Sequence, residues 1–214
     1  MNVTIIGAGN MGRGIGTRAV AGGHSVTFVD RDPESAEKVA ADIKASAKKG
    51  ARVSTANLDE VKLGDVVVLA VWYGTNIEVA KQLGNRLAGK VVVDIANPLN
   101  STYDGLATAP DSSSAEELAN AVAPGASVVK AFNTTFAGTL VVGQVAGQPL
   151  DVFIAGDDAD AKAKVAQIVT DGGMRAVDAG PLHRARQIEG MQLLHIVTQG
   201  TLGTNWGSAL TIFG

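Results

Sequence analysis

The residues Gly7-Ala8-Gly9-Asn10-Met11-Gly12 directly follow the apolar run Val3-Thr4-Ile5-Ile6, and Asp30 closes a second apolar run, Val26-Thr27-Phe28-Val29. A strand running into G-x-G-x-x-G, then a helix, a second strand and an acid is the pattern of a dinucleotide-binding βαβ unit. Each residue type has a mechanical reason. Gly7 permits the tight turn out of the strand, Gly9 leaves room for a pyrophosphate against the backbone, and Gly12 allows close packing of helix on sheet. Asn10 and Met11 open the helix, whose first amides and partial positive charge attract phosphate. A flexible Gly-rich turn would account for the glycines alone. It does not account for strand, helix, second strand and acid standing together.

The remaining chemistry should lie where later strands end, because open parallel sheets bind ligands beyond the carboxyl ends of their strands. Three segments qualify: Val71-Trp72-Tyr73-Gly74-Thr75, Ala96-Asn97-Pro98-Leu99-Asn100, and Lys130-Ala131-Phe132-Asn133-Thr134-Thr135-Phe136. Aromatics, amides and hydroxyls with few charges suit a flat, largely apolar ring held by a few hydrogen bonds. Trp72 and Tyr73 are equally open to a packing role, and Asn97 and Asn133 to bonding their own turns. No G-x-S-x-G elbow, HExxH helix or paired carboxylates occur in these loops, and the chain has 0 Cys. Neither a nucleophile nor a metal site is expected. Hydride transfer asks instead for positioning and exclusion of water, with Asn133 the candidate positioning side chain. Of the histidines, His24 reads as structural, His195 as a core residue of an apolar helix, and His183, beside Arg184 and Arg186, as a residue near the crevice mouth.

Short β-branched runs alternate with longer helical stretches. Strands are expected at 2–6, 25–29, 65–71, 90–95, 127–131, 150–155 and 174–178, and helices at 10–22, 33–48, 75–87, 115–122, 158–171 and 182–202. Runs such as Val66-Val67-Val68-Leu69 and Val91-Val92-Val93 are apolar at every position, as in parallel strands covered on both faces. Asp32 before Pro33, Ser113 with Glu116 or Ser114 with Glu117, and Asp157 or Asp158 mark helix starts; Gly22-Gly23 and Gly172-Gly173 mark stops. The fold class is α/β: a Rossmann-type, doubly wound, mostly parallel sheet over 1–180, with a small helical part at 181–214 packed on it. The segment 97–114 is the longest irregular piece, a length usually reserved for function.

Lys+Arg 18 against Asp+Glu 21 gives a net charge of −3, which argues against a nucleic-acid partner. No apolar run approaches the roughly 20 residues of a membrane span, and Met1 leads straight into the first strand, so a cytoplasmic enzyme is expected. Around the last helix, Ile188, Met191, Leu193, Leu194, Ile196 and Val197 point in all directions, which implies burial on every side and hence a homodimer built on this helix.

The glycine motif, the run Val93-Asp94-Ile95-Ala96-Asn97-Pro98-Leu99, the segment Lys130-Ala131-Phe132-Asn133-Thr134, and Asp178-Ala179-Gly180-Pro181-Leu182 with Ala185-Arg186 resemble the NADPH-dependent reductases of the deazaflavin coenzyme F420. The Lys-Ala-Phe-Asn run is also similar to the cytosolic reductase domain of the transmembrane metalloreductases. The resemblance spans nearly the whole chain. It implies a nicotinamide (NADP or NAD) across the glycine loop and a deazaflavin, or FMN or FAD, near it, with Trp72, Asn97, Pro98, Phe132, Asn133 and Thr134 lining the ring pocket. Two positions differ from that pattern: Asp30-Arg31 stands where a small residue and then Ser or Arg is usual, and no His occupies position 132 or 133. A carboxylate at Asp30 would accept ribose hydroxyls and repel a 2′-phosphate, while Arg31 would attract one; on that balance NAD(H) is expected to bind at least as well as NADP(H). The other functions open to the residues are an NAD(P)H-dependent reductase of a small imine or carbonyl substrate and a non-catalytic dinucleotide sensor.

Overall fold

A computed structural model describes residues 1–47 and 50–213. Its main sheet has eight strands. They are β1 (Asn2–Ile6), β2 (Ser25–Val29), β3 (Val53–Thr55), β4 (Val66–Leu69), β5 (Val91–Asp94), β6 (Ser127–Lys130), β9 (Asp151–Gly156) and β10 (Arg175–Gly180), in the order β10-β9-β6-β5-β4-β1-β2-β3. The strands from β3 to β6 therefore stand as 3-2-1-4-5-6, with the order reversing between β1 and β4. That reversal opens a crevice beyond the strand ends. Ile5 pairs with Phe28 on one side and Val68 on the other, all in parallel register. β9 enters antiparallel to β6 and β10 then runs parallel to β9. The sheet is mostly parallel, as expected.

The apolar runs make sense once both faces are covered. Val3 and Ile5 of β1, Val66 and Val68 of β4, and Val91 and Val93 of β5 join one core with α1 (Asn10–Ala21), α2 (Pro33–Ser46) and α6 (Ala159–Asp171). The alternate residues Ile6, Val67, Leu69 and Val92 join a second core with α3 (Thr75–Leu83) and α4 (Ser114–Ala121). Successive side chains of a strand point to opposite faces, so a strand between two helical layers must be apolar throughout. All three helix starts are capped by a residue offered for them: the side chain of Asp32 accepts from Glu34, that of Ser113 from Glu116, and that of Asp158 from Ala161.

Several expectations need correction. The short edge strand β3, the helix α5 (Ala137–Val142) and the hairpin β7 (Gln144–Val145) with β8 (Gln148–Pro149) were not foreseen. Three-residue and two-residue strands carry too few positions to show a period, and the hairpin turns on Ala146 and Gly147, both with positive φ. The helix expected at 75–87 is α helical only to Leu83 and tightens into a 3-10 turn over Gly84–Leu87. The one expected at 182–202 divides into a 3-10 turn (Leu182–Arg184), α7 (Ala185–Val197) and α8 (Gln199–Leu202). Position 48, the expected end of the second helix, lies outside the described residues. No helix among the described residues is long and apolar enough to cross a membrane.

Candidate functional site

The turn from β1 into α1 has the geometry of a phosphate cradle. Gly7 has φ +105°, and a Cβ there would lie 2.3 Å from the Ala70 carbonyl oxygen at the end of β4. A Cβ on Gly12 would lie 2.0 Å from the Gly7 carbonyl oxygen. Both glycines are required by the protein's own packing. Gly9 differs: no atom lies within 4 Å of a Cβ built on it. The chain leaves open space there, and a pyrophosphate resting on the helix N-terminus fits it. Gly9 is also the N-cap of α1, no side chain caps that end, and no acidic residue occupies the first turn. The first amides are thus available to an anion, and no acid within the first turn repels it. Asn10 is exposed beside them, and Met11 is half-buried against the core.

Asp30 turns its carboxylate onto the glycine turn. One oxygen accepts from the Ala8 amide at 2.6 Å and the other from the Asp32 amide at 3.0 Å. The acid at the end of β2 therefore braces the glycine turn from within. Those two bonds fix the carboxylate's position, and each oxygen keeps a further lone pair. Arg31 is exposed and makes no ion pair among the described residues.

The loops after β4, β5 and β6 gather beside this turn. Val71 lies against it, its Cγ1 3.1 Å from the position of a Gly7 Cβ. Trp72 is 83% exposed, so it does not close the core. Tyr73 does turn inward: its hydroxyl donates to Glu117 at 2.7 Å, and burial together with that carboxylate pushes its pKa up to about 12. Asn97 and Asn133 form a reciprocal pair. Asn97 Nδ2 donates to the Asn133 carbonyl at 3.1 Å, and Asn133 Nδ2 donates to Asn97 Oδ1 at 3.0 Å. Each bonds the other's loop, not its own turn. Pro98 is buried, and its carbonyl closes the loop by accepting from Ala107. Phe132 is buried, as are Asn133 and Thr134 after it. Phe132 is 1% exposed within the core and held at φ +63°, an unfavourable conformation for a non-glycine residue. That left-handed step sends the following Asn133 and Thr134 in a new direction. Asn133 Oδ1 and Thr134 Oγ1 are both buried without a partner. Buried polar atoms left unpartnered in this way are costly and rare.

Beneath these loops lies a charged cluster that the sequence reading missed. Lys130 Nζ donates to Asp94 at 2.8 Å, to Glu189 at 2.7 Å and to the Ala96 carbonyl, and all three charged side chains are 0% exposed. Asp94 also accepts from Asn76 Nδ2 and the Ala96 amide; Glu189 also accepts from the Ser114 amide. Burial opposes the Lys130 charge, but the two carboxylates outweigh it and hold its pKa above the usual value. Burial pushes Glu189 up more than Lys130 pulls it down, and the Asp94 charge adds to the rise. A signal existed: Lys130 and Asp94 each follow a run of buried valines, where a charge must find a partner. Glu189 gave none, because it sits among the apolar residues of α7.

That helix is buried on one face and open on the other within the single chain. Its buried face includes Glu189, Gln192 and His195 beside Ile188, whereas Leu194 and Val197 are exposed. His195 is bonded to Gln192 and Ser208, and its ring lies 4.5 Å from that of Phe136. It is a satisfied core histidine. His183 is exposed, and His24 is buried between the N-terminal amine and Asp171.

The strand order, the glycine cradle and the amide-lined loops at the order reversal together define a dinucleotide-binding oxidoreductase of the Rossmann class. A family model described as NADP oxidoreductase, coenzyme F420-dependent, matches residues 2–98. An F420-dependent NADP reductase of Methanocaldococcus jannaschii is 32% identical over 208 residues, covering 92% of this chain and 91% of its own. The metalloreductase STEAP3 of Rattus norvegicus is 31% identical over 89% of this chain, which corresponds to 36% of that protein. A crystal structure from Arthrobacter sp. FB24, assigned to the F420-dependent NADP reductases, superposes with a TM-score of 0.84 at 29% identity over 99% of each chain. The chain belongs to the family of F420-dependent NADP reductases.

Proposed function

We propose that this protein passes a hydride between NADP(H) and the deazaflavin coenzyme F420. The observation that carries the reading is the open space over Gly9 at an uncapped helix start, next to loops whose buried Asn133 and Thr134 oxygens lack partners. The two bound rings supply the redox chemistry, and the protein supplies their alignment. The α1 amides hold the pyrophosphate. Arg31 meets the 2′-phosphate beside Asp30, whose oxygens are engaged with Ala8 and Asp32. In this reading NADP(H) is the preferred nucleotide, where Asp30 by itself favours NAD(H). Asn97 and Asn133 set the ring pocket, and Trp72 offers it an exposed aromatic face. Orientation of two rings at about 3–3.5 Å contributes on the order of 7–11 kcal/mol toward the barrier, which explains how a site with no nucleophile is sufficient. The test is stopped-flow absorbance of the deazaflavin band on mixing with NADPH. Nucleotide binding with no spectral change of deazaflavin, FMN or FAD would return the protein to the small-substrate reductase reading.

Residues 1–180 serve as the nucleotide-binding unit and 181–214 as its helical cover. Leu194, Val197 and Leu202 are exposed, with Trp206, Ile212 and Phe213 exposed nearby in sequence. An apolar surface of this kind calls for cover, and a second copy of the chain provides it in a homodimer. Light scattering at micromolar concentration decides this; a monomer there rules the dimer out. The protein works in the cytoplasm in this reading.

A further inference from the structure

One buried cluster bonds the backbone of the loop after β5 directly and reaches the loop after β4 through Asn76. Asp94, at the end of β5, accepts from the Ala96 amide, and Lys130, at the end of β6, donates to the Ala96 carbonyl. The first peptide units of the Asn97 loop are thus held from both sides. Asn76 links the same Asp94 oxygen to the loop after β4: its Nδ2 donates to Asp94 at 2.9 Å while its Oδ1 accepts from the Gly74 amide at 3.0 Å. Glu189 reaches from α7 to the Ser114 amide, where the long segment after Asn97 ends. Lys130 itself stands three positions before Asn133, whose side chain then pairs with Asn97. Nothing in the cluster bonds to the glycine turn, which is braced separately by Asp30.

We infer that Lys130, Asp94 and Glu189 are positioning residues that set the acceptor half of the site independently of the nucleotide half. This inference rests on the proposed hydride transfer for its kinetic arm only. Burying two carboxylates and an ammonium is a poor source of stability, since well-packed apolar residues usually do as well or better. What the charges provide is direction: an ammonium with three acceptors in place fixes three chain segments that no apolar side chain would orient.

The test uses Glu189→Gln, nearly identical in shape, and Lys130→Met/Glu189→Gln, which removes the cation and one carboxylate together. Two readouts are taken on the full-length protein. In steady-state kinetics, kcat/KM for the deazaflavin falls on the order of 10- to 100-fold, while the Kd for NADPH stays within about twofold, a change worth only a few tenths of a kcal/mol. In amide hydrogen exchange, protection falls at 74–77, 95–99 and 112–116 and is unchanged at 7–13. Equal loss of NADPH affinity, equal loss of protection in the glycine turn, or no change at the three loops overturns the inference. If the wild-type protein never reduces or oxidises the deazaflavin, the proposed function fails, and the exchange pattern alone decides whether the cluster positions these loops.

Discussion

The two halves of the crevice are built from different materials. The nucleotide half is backbone: three glycines, an uncapped helix start and one braced amide, all within the first βαβ unit. The acceptor half is side chain. Asn97 and Asn133 are 36 residues apart, Lys130 and Glu189 59, and Ser114 and Glu189 75. Phosphate is recognised through amides that any sequence possesses, provided that steric room exists. A particular ring must be recognised through groups aimed from several segments. One half should therefore fail by being filled, and the other by being loosened.

The largest effect expected is at Gly9. Gly9→Val should weaken NADPH binding by about 100-fold or more, close to 3 kcal/mol, with the melting temperature nearly unchanged, because no protein atom is near the added Cβ. Gly12→Ala should instead destabilise the fold, since its Cβ meets the Gly7 carbonyl oxygen at 2.0 Å. Titration by nucleotide fluorescence beside a thermal melt separates the two. Retained binding in Gly9→Val would break the contrast at its base.

Next in size is Asn133→Ala. It removes the bond to Asn97 and one unpartnered oxygen. Hydride transfer should slow on the order of 10- to 100-fold, with NADPH affinity within about twofold of wild type. Stopped-flow absorbance and nucleotide titration of one preparation check both. Parallel losses would mean that the halves are not separable.

Arg31→Ala tests the nucleotide half alone. The ratio of NADPH to NADH affinity should fall about tenfold, near 1.4 kcal/mol, with the maximal transfer rate retained. A wild-type protein that prefers NADH would show that Asp30 governs this corner despite its bonds to Ala8 and Asp32.

The smallest effect is a pH dependence of stability from Glu189. Its folded pKa is raised by burial, so the folded chain binds its proton more tightly than the unfolded chain. Its contribution to stability is most favourable at low pH and declines as pH rises from the ordinary Glu range through the folded value. Melting temperatures of wild type and Glu189→Gln should therefore converge toward acid pH and diverge toward neutral, the variant being relatively more stable there. A difference that is flat with pH would show that Glu189 keeps an ordinary affinity for its proton.

The sequence by itself determined the glycine cradle, the helix cap at Asp32, the places of the two caps at 113–114 and 157–158, the two-faced strands and the mostly parallel sheet. Each depends on interactions spanning a few residues, or on a period that a strand or helix imposes on its neighbours, so residue type and spacing carry the information. Tertiary structure alone decided the rest. It turned Asp30 inward to the Ala8 amide, took Phe132 into the core, paired Asn97 with Asn133, and buried Glu189 of an apolar helix against Lys130 and Asp94. A charge in a sequence shows only that it needs a partner or water; which of the two it finds, and across how many residues, is fixed when the sheet brings distant strand ends to one edge.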